Sequence, residues 1–373
     1  MKKLVISTVG TSLLTNQIDR EFEDNWAVRL RDTANLSQEE IAKHHEDVSD
    51  IIKTLQDRAA EKLKGEVEDI REASAELNGV YGLYKEQLNQ GNQDIHWLIA
   101  SDTAQDKVTA KMLENFLRKQ GLTADLHTPQ GFSARSTEAF TNGIDEFLNW
   151  IEETVPGYKD SGYQICFNLV GGFKAIQGFA NTIGMFYADE IIYIFEGSRD
   201  IITIPRLPIK VDTSVIMPVQ FALMAAGAWV ARSELNNVPE TLIFKVDDTA
   251  TLTNWGRLMW NRSKEDLLSG ELLEFPQLKY ESSFKRDYEN TRERNERVKL
   301  QETLAKVSHL LMKHNGDTAP LRSDGGLLYE VYQNQGGIAH FRITQGIRVS
   351  CTASGGVLTL RRYGREPDVN RNP

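Results

Sequence analysis

Three short loops in the first half of the chain carry residue types that can hold an anion. Gly171-Gly172 close the apolar run "YQICFNLV" (163–170), and Lys174 opens the helical pattern that follows. Glycine lets backbone approach a ligand, the first N–H groups of a helix lack intrahelical partners, and a lysine adds a point charge. Gly10-Thr11-Ser12 follow the run "KLVISTV" (3–9), with hydroxyls that can donate to phosphate or ribose. Ser101, Asp102 and Thr103 stand at the end of "IHWLIAS" (95–101). If these runs are neighbouring parallel strands, the three loops meet at one sheet edge and form a crevice suited to a nucleotide. G-x-G-x-x-G and G-x-x-x-x-G-K-[ST] are both absent, so neither a dinucleotide coenzyme nor a P-loop NTPase is expected.

The elements that must position these loops are legible as periodicity. Short β-branched runs recur at 3–9, 95–101, 124–129, 163–170 and 190–197, with amphipathic helical patterns between them, and that alternation predicts a doubly wound, Rossmann-like sheet. The first unit is interrupted at about 36–92. There Ser37-Gln-Glu-Glu40 has the form of a capping box, and Ile41, Val48, Ile52, Leu55, Ala59, Leu63, Val67 and Ile70 follow at helical spacing, so a helical insertion is expected. After "RLPIKVD" the texture changes. Two short apolar helices, a two-stranded wing around "TLIFKVDDTATLTNW" and a helix from about Trp255 predict a small winged-helix unit over 213–275. The remainder, 276–373, reads as a strand, a charged helix and an antiparallel meander whose turns carry the Gly pairs 336–337 and 355–356, an α+β domain.

With 373 residues, 40% hydrophobic and 26% charged, the chain has the composition of a soluble, multidomain globular protein. Its longest apolar runs are too short to span a bilayer, and its N-terminus turns polar too soon for a signal peptide, so a cytoplasmic location is expected. Cys166 and Cys351 lie far apart and are expected as reduced, buried thiols, with no metal site. The net charge of −10 is uneven. Residues 276–373 hold 16 Lys and Arg against 11 Asp and Glu, a net of +5 that leaves −15 on the rest, so the last quarter is the part that suits an anionic partner. The middle segment is not basic, which argues for a connector or protein contact there rather than DNA binding.

"VGTSLLTN", "SDTAQDKVTAKML" and "NLVGGFKAIQGFANTIGMFYADEIIYIFEG", in that order, resemble the CRISPR-associated Rossmann-fold (CARF) sensor domain over residues 1–212. The resemblance implies a homodimer that binds a cyclic oligoadenylate across its two-fold axis, with cyclic tetra-adenylate the expected activator and no resident cofactor. It carries over Gly10, Thr11, Ser12, Asp102, Thr103, Gly171, Gly172 and Lys174 as ligand contacts. A two-fold ring can make equal contacts with two copies of one loop set.

The segment 276–373 is similar to the RelE toxin superfamily of ribosome-dependent mRNA interferases. The likeness rests on a strand followed by Phe284-Lys285-Arg286-Asp287, a helix, and a meander carrying Arg342, Gly346-Ile347-Arg348 and Gly364-Arg365. It implies metal-independent attack of an RNA 2′-hydroxyl on the adjacent phosphate, with ribosome and mRNA as partners. Such chemistry needs cations around the phosphate and groups that take and give protons. Arg342, Arg348 and Arg365 are expected to line one groove, with His340 as proton carrier. The chain departs from the toxin pattern where Arg342 and Thr344 stand in place of a lysine pair, and where a tyrosine is expected after the last strand but only Asn370 and Arg371 are found. No His follows an Arg at the spacing of a HEPN ribonuclease. Two rival readings follow from the same residues: a ligand-controlled winged-helix transcription regulator, and a sensor that degrades its own ring ligand with help from Ser12 or Lys174.

Overall fold

The computed structural model describes residues 1–132, 136–195, 197–333 and 335–373. The chain divides into two compact units, Met1–Ile209 and Lys210–Pro373.

In the first unit, β1 (Lys3–Thr8) is buried along almost its whole length, as a β-branched run between two neighbours must be. It is followed by α1 (Ser12–Thr15) and by an insertion of five helices: α2 (Asp24–Asp32), α3 (Gln38–His44), α4 (Glu46–Lys62), α5 (Val67–Ala73) and α6 (Ala75–Leu83). The chain then alternates through β2 (Ile95–Ile99), α7 (Ala104–Lys119), β3 (Thr123–His127), α8 (Thr137–Asp160), β4 (Gln164–Asn168), α9 (Lys174–Tyr187) and β5 (Glu190–Ile194), and closes with β6 (Ile201–Pro205). Sheet order is β3-β2-β1-β4-β5-β6. All pairs are parallel except β5 with β6. The Rossmann-like sheet expected from the alternation is therefore present, and its order reverses beside β1, where such sheets open a crevice.

Two details differ from expectation. The antiparallel edge strand β6 was not foreseen, because "IITIP" follows β5 after a turn and is exposed on one side. The insertion also begins earlier than residue 36 and is not one helix. The Ser37 capping box is formed, with Glu40 N donating to Ser37 Oγ and Ser37 N to Glu40 Oε2. The helix nevertheless ends at His45, whose backbone leaves the helical region, and α4 stops before Gly65. Its apolar stripe still works, because Val48, Ile52 and Leu55 pack with Leu14 and Leu30 in a separate small core.

The second unit has a single hydrophobic core that runs from Ile216 to Tyr363, so the segments 213–275 and 276–373 share it. It starts with α10 (Pro218–Ala225), a three-stranded sheet of β7 (Val230–Ala231), β8 (Ile243–Val246) and β9 (Thr249–Leu252), and α11 (Asn254–Leu268). The expected two-stranded hairpin is thus joined by a third strand, β7, which is only two residues long and gives little periodic signal. A five-stranded sheet follows, built from β10 (Leu278–Tyr280), β11 (Glu330–Val331), β12 (Ile338–Thr344), β13 (Ile347–Ser354) and β14 (Val357–Arg365) in the order β10-β14-β13-β12-β11. Helices α12 (Ser282–Asn290), α13 (Arg294–Lys313), α14 (Ala319–Ser323) and α15 (Glu366–Arg371) surround it. Phe284-Lys285-Arg286-Asp287 lie on α12, where Phe284 enters the core and Asp287 accepts from Arg362 Nε at 2.7 Å and from Tyr363 N at 3.1 Å. Along β12 the residues alternate strictly: Ala339, Phe341 and Ile343 face the core, while His340 and Arg342 face outward. Fully burying one such Phe or Ile stabilises the fold by roughly 1.5–3 kcal/mol, and this is what fixes the register that aims His340 and Arg342 away from it.

Candidate functional site

The front crevice is organised by close contact between two strand ends. Thr8 Oγ1 donates to Gly171 O at 2.5 Å. A Cβ on Gly10 would stand 2.9 Å from Gly172 N, and one on Gly171 would stand 2.0 Å from Glu76 Oε1. Gly172 needs its positive φ of 107°. All three glycines thus have a packing or backbone reason to be there.

The donors of this loop already hold an anion. Glu76, on α6 and only 1% exposed, accepts from Gly10 N at 2.8 Å, Ser12 Oγ at 2.9 Å and Ser74 Oγ at 2.7 Å. Ser12 Oγ also accepts from Ala75 N at 3.0 Å. The expectation that Gly10 and Ser12 present their donors to a ligand is corrected in that respect, because a carboxylate from the insertion lies on them. The missed signal was Glu76 itself, a single acid in the apolar stretch "ASAELNGVYGLY". Thr11 gives no side-chain cap to α1. Lys174 is the exposed first residue of α9.

At the third strand end, Thr103 caps α7 by accepting from Asp106 N, and its hydroxyl lies 2.9 Å from Ser101 Oγ. Thr103 is buried, so its hydroxyl serves the helix and not the crevice. Asp102 Oδ1 is buried with no partner among the described residues. Asp106 is fully buried and takes a 2.5 Å hydrogen bond from Ser101 Oγ, while its Oδ1 has no partner among the described residues. Burial, reinforced by the nearby Glu76 and Asp102 charges, pushes its carboxyl up to about 7.

Beyond Glu76 a pocket of about 550 Å³ opens among the ends of α1, α6, β4 and β5, lined in part by Ser12, Asn16, Asn78, Val170, Phe195 and Arg199. Ser12 joins it to the glycine loops. Arg71, its side chain 4% exposed, donates to Asn78 Oδ1, Glu86 Oε1 and Arg199 O at 2.6–2.8 Å, and so ties the 197–200 loop to the insertion. The exposed Phe195 ring offers stacking to a planar group, whereas the Asn78 amide is held by Arg71 Nε and Ser198 O, and Asn16 Nδ2 donates to the carbonyls of Glu72 and Ala73.

In the second unit, the register places Arg342 directly opposite Arg348, and His340 opposite Ser350, on the outward face of the sheet. Arg365 pairs with Ile347, one residue out of phase with Arg348, so strand alternation sends it to the other side. The three arginines do not share one groove. Arg342 is also committed elsewhere: Nε and Nη2 donate to the carbonyls of Gly326 and Gly325 at 3.2 and 2.9 Å, closing the turn after α14. Arg348, 11% exposed, donates from Nη1 to Thr344 O at 2.9 Å and pairs through Nη2 with Glu366 Oε2 at 3.1 Å.

Around His340 and Arg348 stand groups that sequence reasoning passed over. The Tyr332 ring tilts against His340, with centroids 4.5 Å apart. Its hydroxyl donates to Asn370 Oδ1 at 2.5 Å. Burial lowers the His340 imidazole below its usual range and Arg348 lowers it further, against Glu330 and Glu366. Burial raises the Tyr332 phenol, with Arg348 opposing. His340 Nδ1 and Ser350 Oγ are buried and have no partner among the described residues. The signal for Tyr332 was available: a hairpin closed at the Gly336-Gly337 turn puts residues 332 and 340 on one face.

Among the described residues no cluster of three or more His, Cys, Asp or Glu could hold a metal ion, and no helix is long and apolar enough to cross a membrane. Cys166 and Cys351 are buried, one in each unit.

A largely parallel, doubly wound sheet with a pocket at its strand ends gives the first unit a Rossmann-like architecture. Residues 71–207, from α5 to just past β6, match the family described as CRISPR-associated protein (Cas_APE2256), which supports a CRISPR-associated protein. No curated protein matches the chain.

Proposed function

We propose that the first unit senses a cyclic oligoadenylate as a two-fold homodimer, with cyclic tetra-adenylate as activator. The second unit is then a RelE-type endoribonuclease that cuts mRNA in the ribosomal A site. The observation that carries the reading is the coincidence of the CRISPR-associated match with the pocket at the ends of β4 and β5, where the exposed Phe195 ring can stack on an adenine. The second half of the reading draws on the face where His340, Arg348 and Tyr332 meet, a cation beside two proton-exchanging groups. Arginine suits the phosphate because its fork donates two hydrogen bonds to neighbouring oxygens. The ligand acts only if it prefers one state of the dimer; equal affinity for both states would shift nothing.

Purified protein incubated with translating ribosomes, with and without cyclic tetra-adenylate, tests both halves when message ends are mapped. Cleavage in the A-site codon only when the ring is present supports the reading, and intact message with the ring present overturns it. The Ser12–Glu76 hydrogen bond favours one further reading, in which the sensor cuts its own ligand with a carboxylate-assisted hydroxyl. Ring nucleotide incubated with the protein alone, and followed for linear products, decides it.

A further inference from the structure

We propose that Tyr332 and His340 are the proton-transfer pair of the second unit, with Asn370 positioning the tyrosine; this rests on the ribonuclease reading above. Three independent observations converge on this spot. The two rings are in contact at 4.5 Å. Tyr332 directly follows β11, with its N–H bonded to Ile338 O of β12, and alternation from Glu330, which is in register with His340, puts it on the same outward face as His340 and Arg348. His340 Nδ1 and Ser350 Oγ are directly cross-strand and buried, yet neither finds a partner among the described residues, which in a well-packed sheet marks a place kept for something other than packing.

The roles follow from the surroundings. An imidazole held neutral can accept a proton, and a phenol held protonated can give one. The hydroxyl of Tyr332 is at the surface, where it donates to Asn370 Oδ1 on α15. A departing oxygen can replace that acceptor without moving the ring. In the step itself, His340 takes the proton of the 2′-hydroxyl as the 2′-oxygen bonds to phosphorus. The bond from phosphorus to the 5′-oxygen breaks, and that oxygen receives the proton of Tyr332. A 2′,3′-cyclic phosphate and a 5′-hydroxyl remain, the extra negative charge in transit lies beside Arg348, and solvent returns one proton from imidazolium to phenolate.

A message carrying one sulfur in place of the bridging 5′-oxygen separates a proton donor from a merely structural residue, since a thiolate leaves without protonation. The full chain is activated with cyclic tetra-adenylate on ribosomes stalled over that codon. Tyr332→Phe, which keeps the ring contact, is expected to slow the ordinary linkage by roughly 10²-fold or more and the sulfur linkage by less than roughly tenfold, whereas His340→Gln slows both by roughly 10²-fold. Asn370→Ala is expected to cost about tenfold on the ordinary linkage, with the same relief by sulfur. Equal losses of Tyr332→Phe on the two linkages, or none on either, overturn the pair while wild-type cleavage leaves the ribonuclease reading standing. Wild-type protein that cuts neither linkage overturns that reading and the pair with it.

Discussion

The two candidate sites share one device and use it differently. In each, a carboxylate of the chain lies on the donors that would meet a phosphate: Glu76 on Gly10 N and Ser12 Oγ in the first unit, Glu366 on Arg348 in the second. Glu76 is 1% exposed and accepts from three donors, whereas the Glu366 side chain is 41% exposed and holds one ion pair. Removing a buried, fully bonded carboxylate strands its donors, whereas Glu366 is open to water, which can solvate it when its single ion pair is broken. The difference teaches that an anion at the first unit's site must bind beside Glu76, in the pocket past Ser12, but an anion at the second unit's site can take the place of Glu366.

The sharpest break of that contrast is Arg348→Ala. It is expected to lower ribosome-dependent cleavage by roughly 10²-fold or more while ring binding stays within about twofold. Calorimetric binding and message-end mapping read the two effects, and a thermal melt shows whether the carbonyl bonds of Arg348 were the part that mattered. Next in size is Glu76→Ala, which leaves buried donors unpaired and is expected to destabilise the first unit by about 2–4 kcal/mol, seen in a urea melt; an unchanged midpoint would make Glu76 an exchangeable plug like Glu366.

Asp106 tests the burial beneath the front site. Its folded carboxyl is raised to about 7 from an ordinary 3.8, so the folded state holds the proton more tightly than the unfolded chain does. Its contribution to stability is therefore present below pH 3.8 and is lost as pH rises to about 7. Asp106→Asn should raise the melting temperature at pH 8 and flatten its fall between these limits; a parallel fall in both proteins would place the pH dependence elsewhere. The smallest effect expected is from Glu366→Gln, which removes the competing charge and should tighten binding of a short non-cleavable RNA by about two- to fivefold.

How much could be read beforehand depended on range. The strands, the Ser37 capping box and the glycine corners are local, set by side-chain alternation, hydrogen bonds three residues apart and permitted φ. The same locality misled where one residue decides a face. Arg365 is close in sequence to Gly364, yet the register with Ile347 turns it away from Arg348. Tyr332 was overlooked because β11 is only two residues long and the expected tyrosine was sought after the last strand.

Apolar periodicity and turn residues were enough to specify a Rossmann-like sheet with a helical insertion and a basic meander behind it. These are properties of residues near one another in the chain, enforced by backbone sterics and by the need to bury one face. Tertiary structure alone decided that Glu76 lies on Gly10, 66 residues away, and that Tyr332 reaches Asn370, 38 away. Such pairings follow from which buried faces pack together, and that choice is made by the core as a whole rather than by the residues that meet.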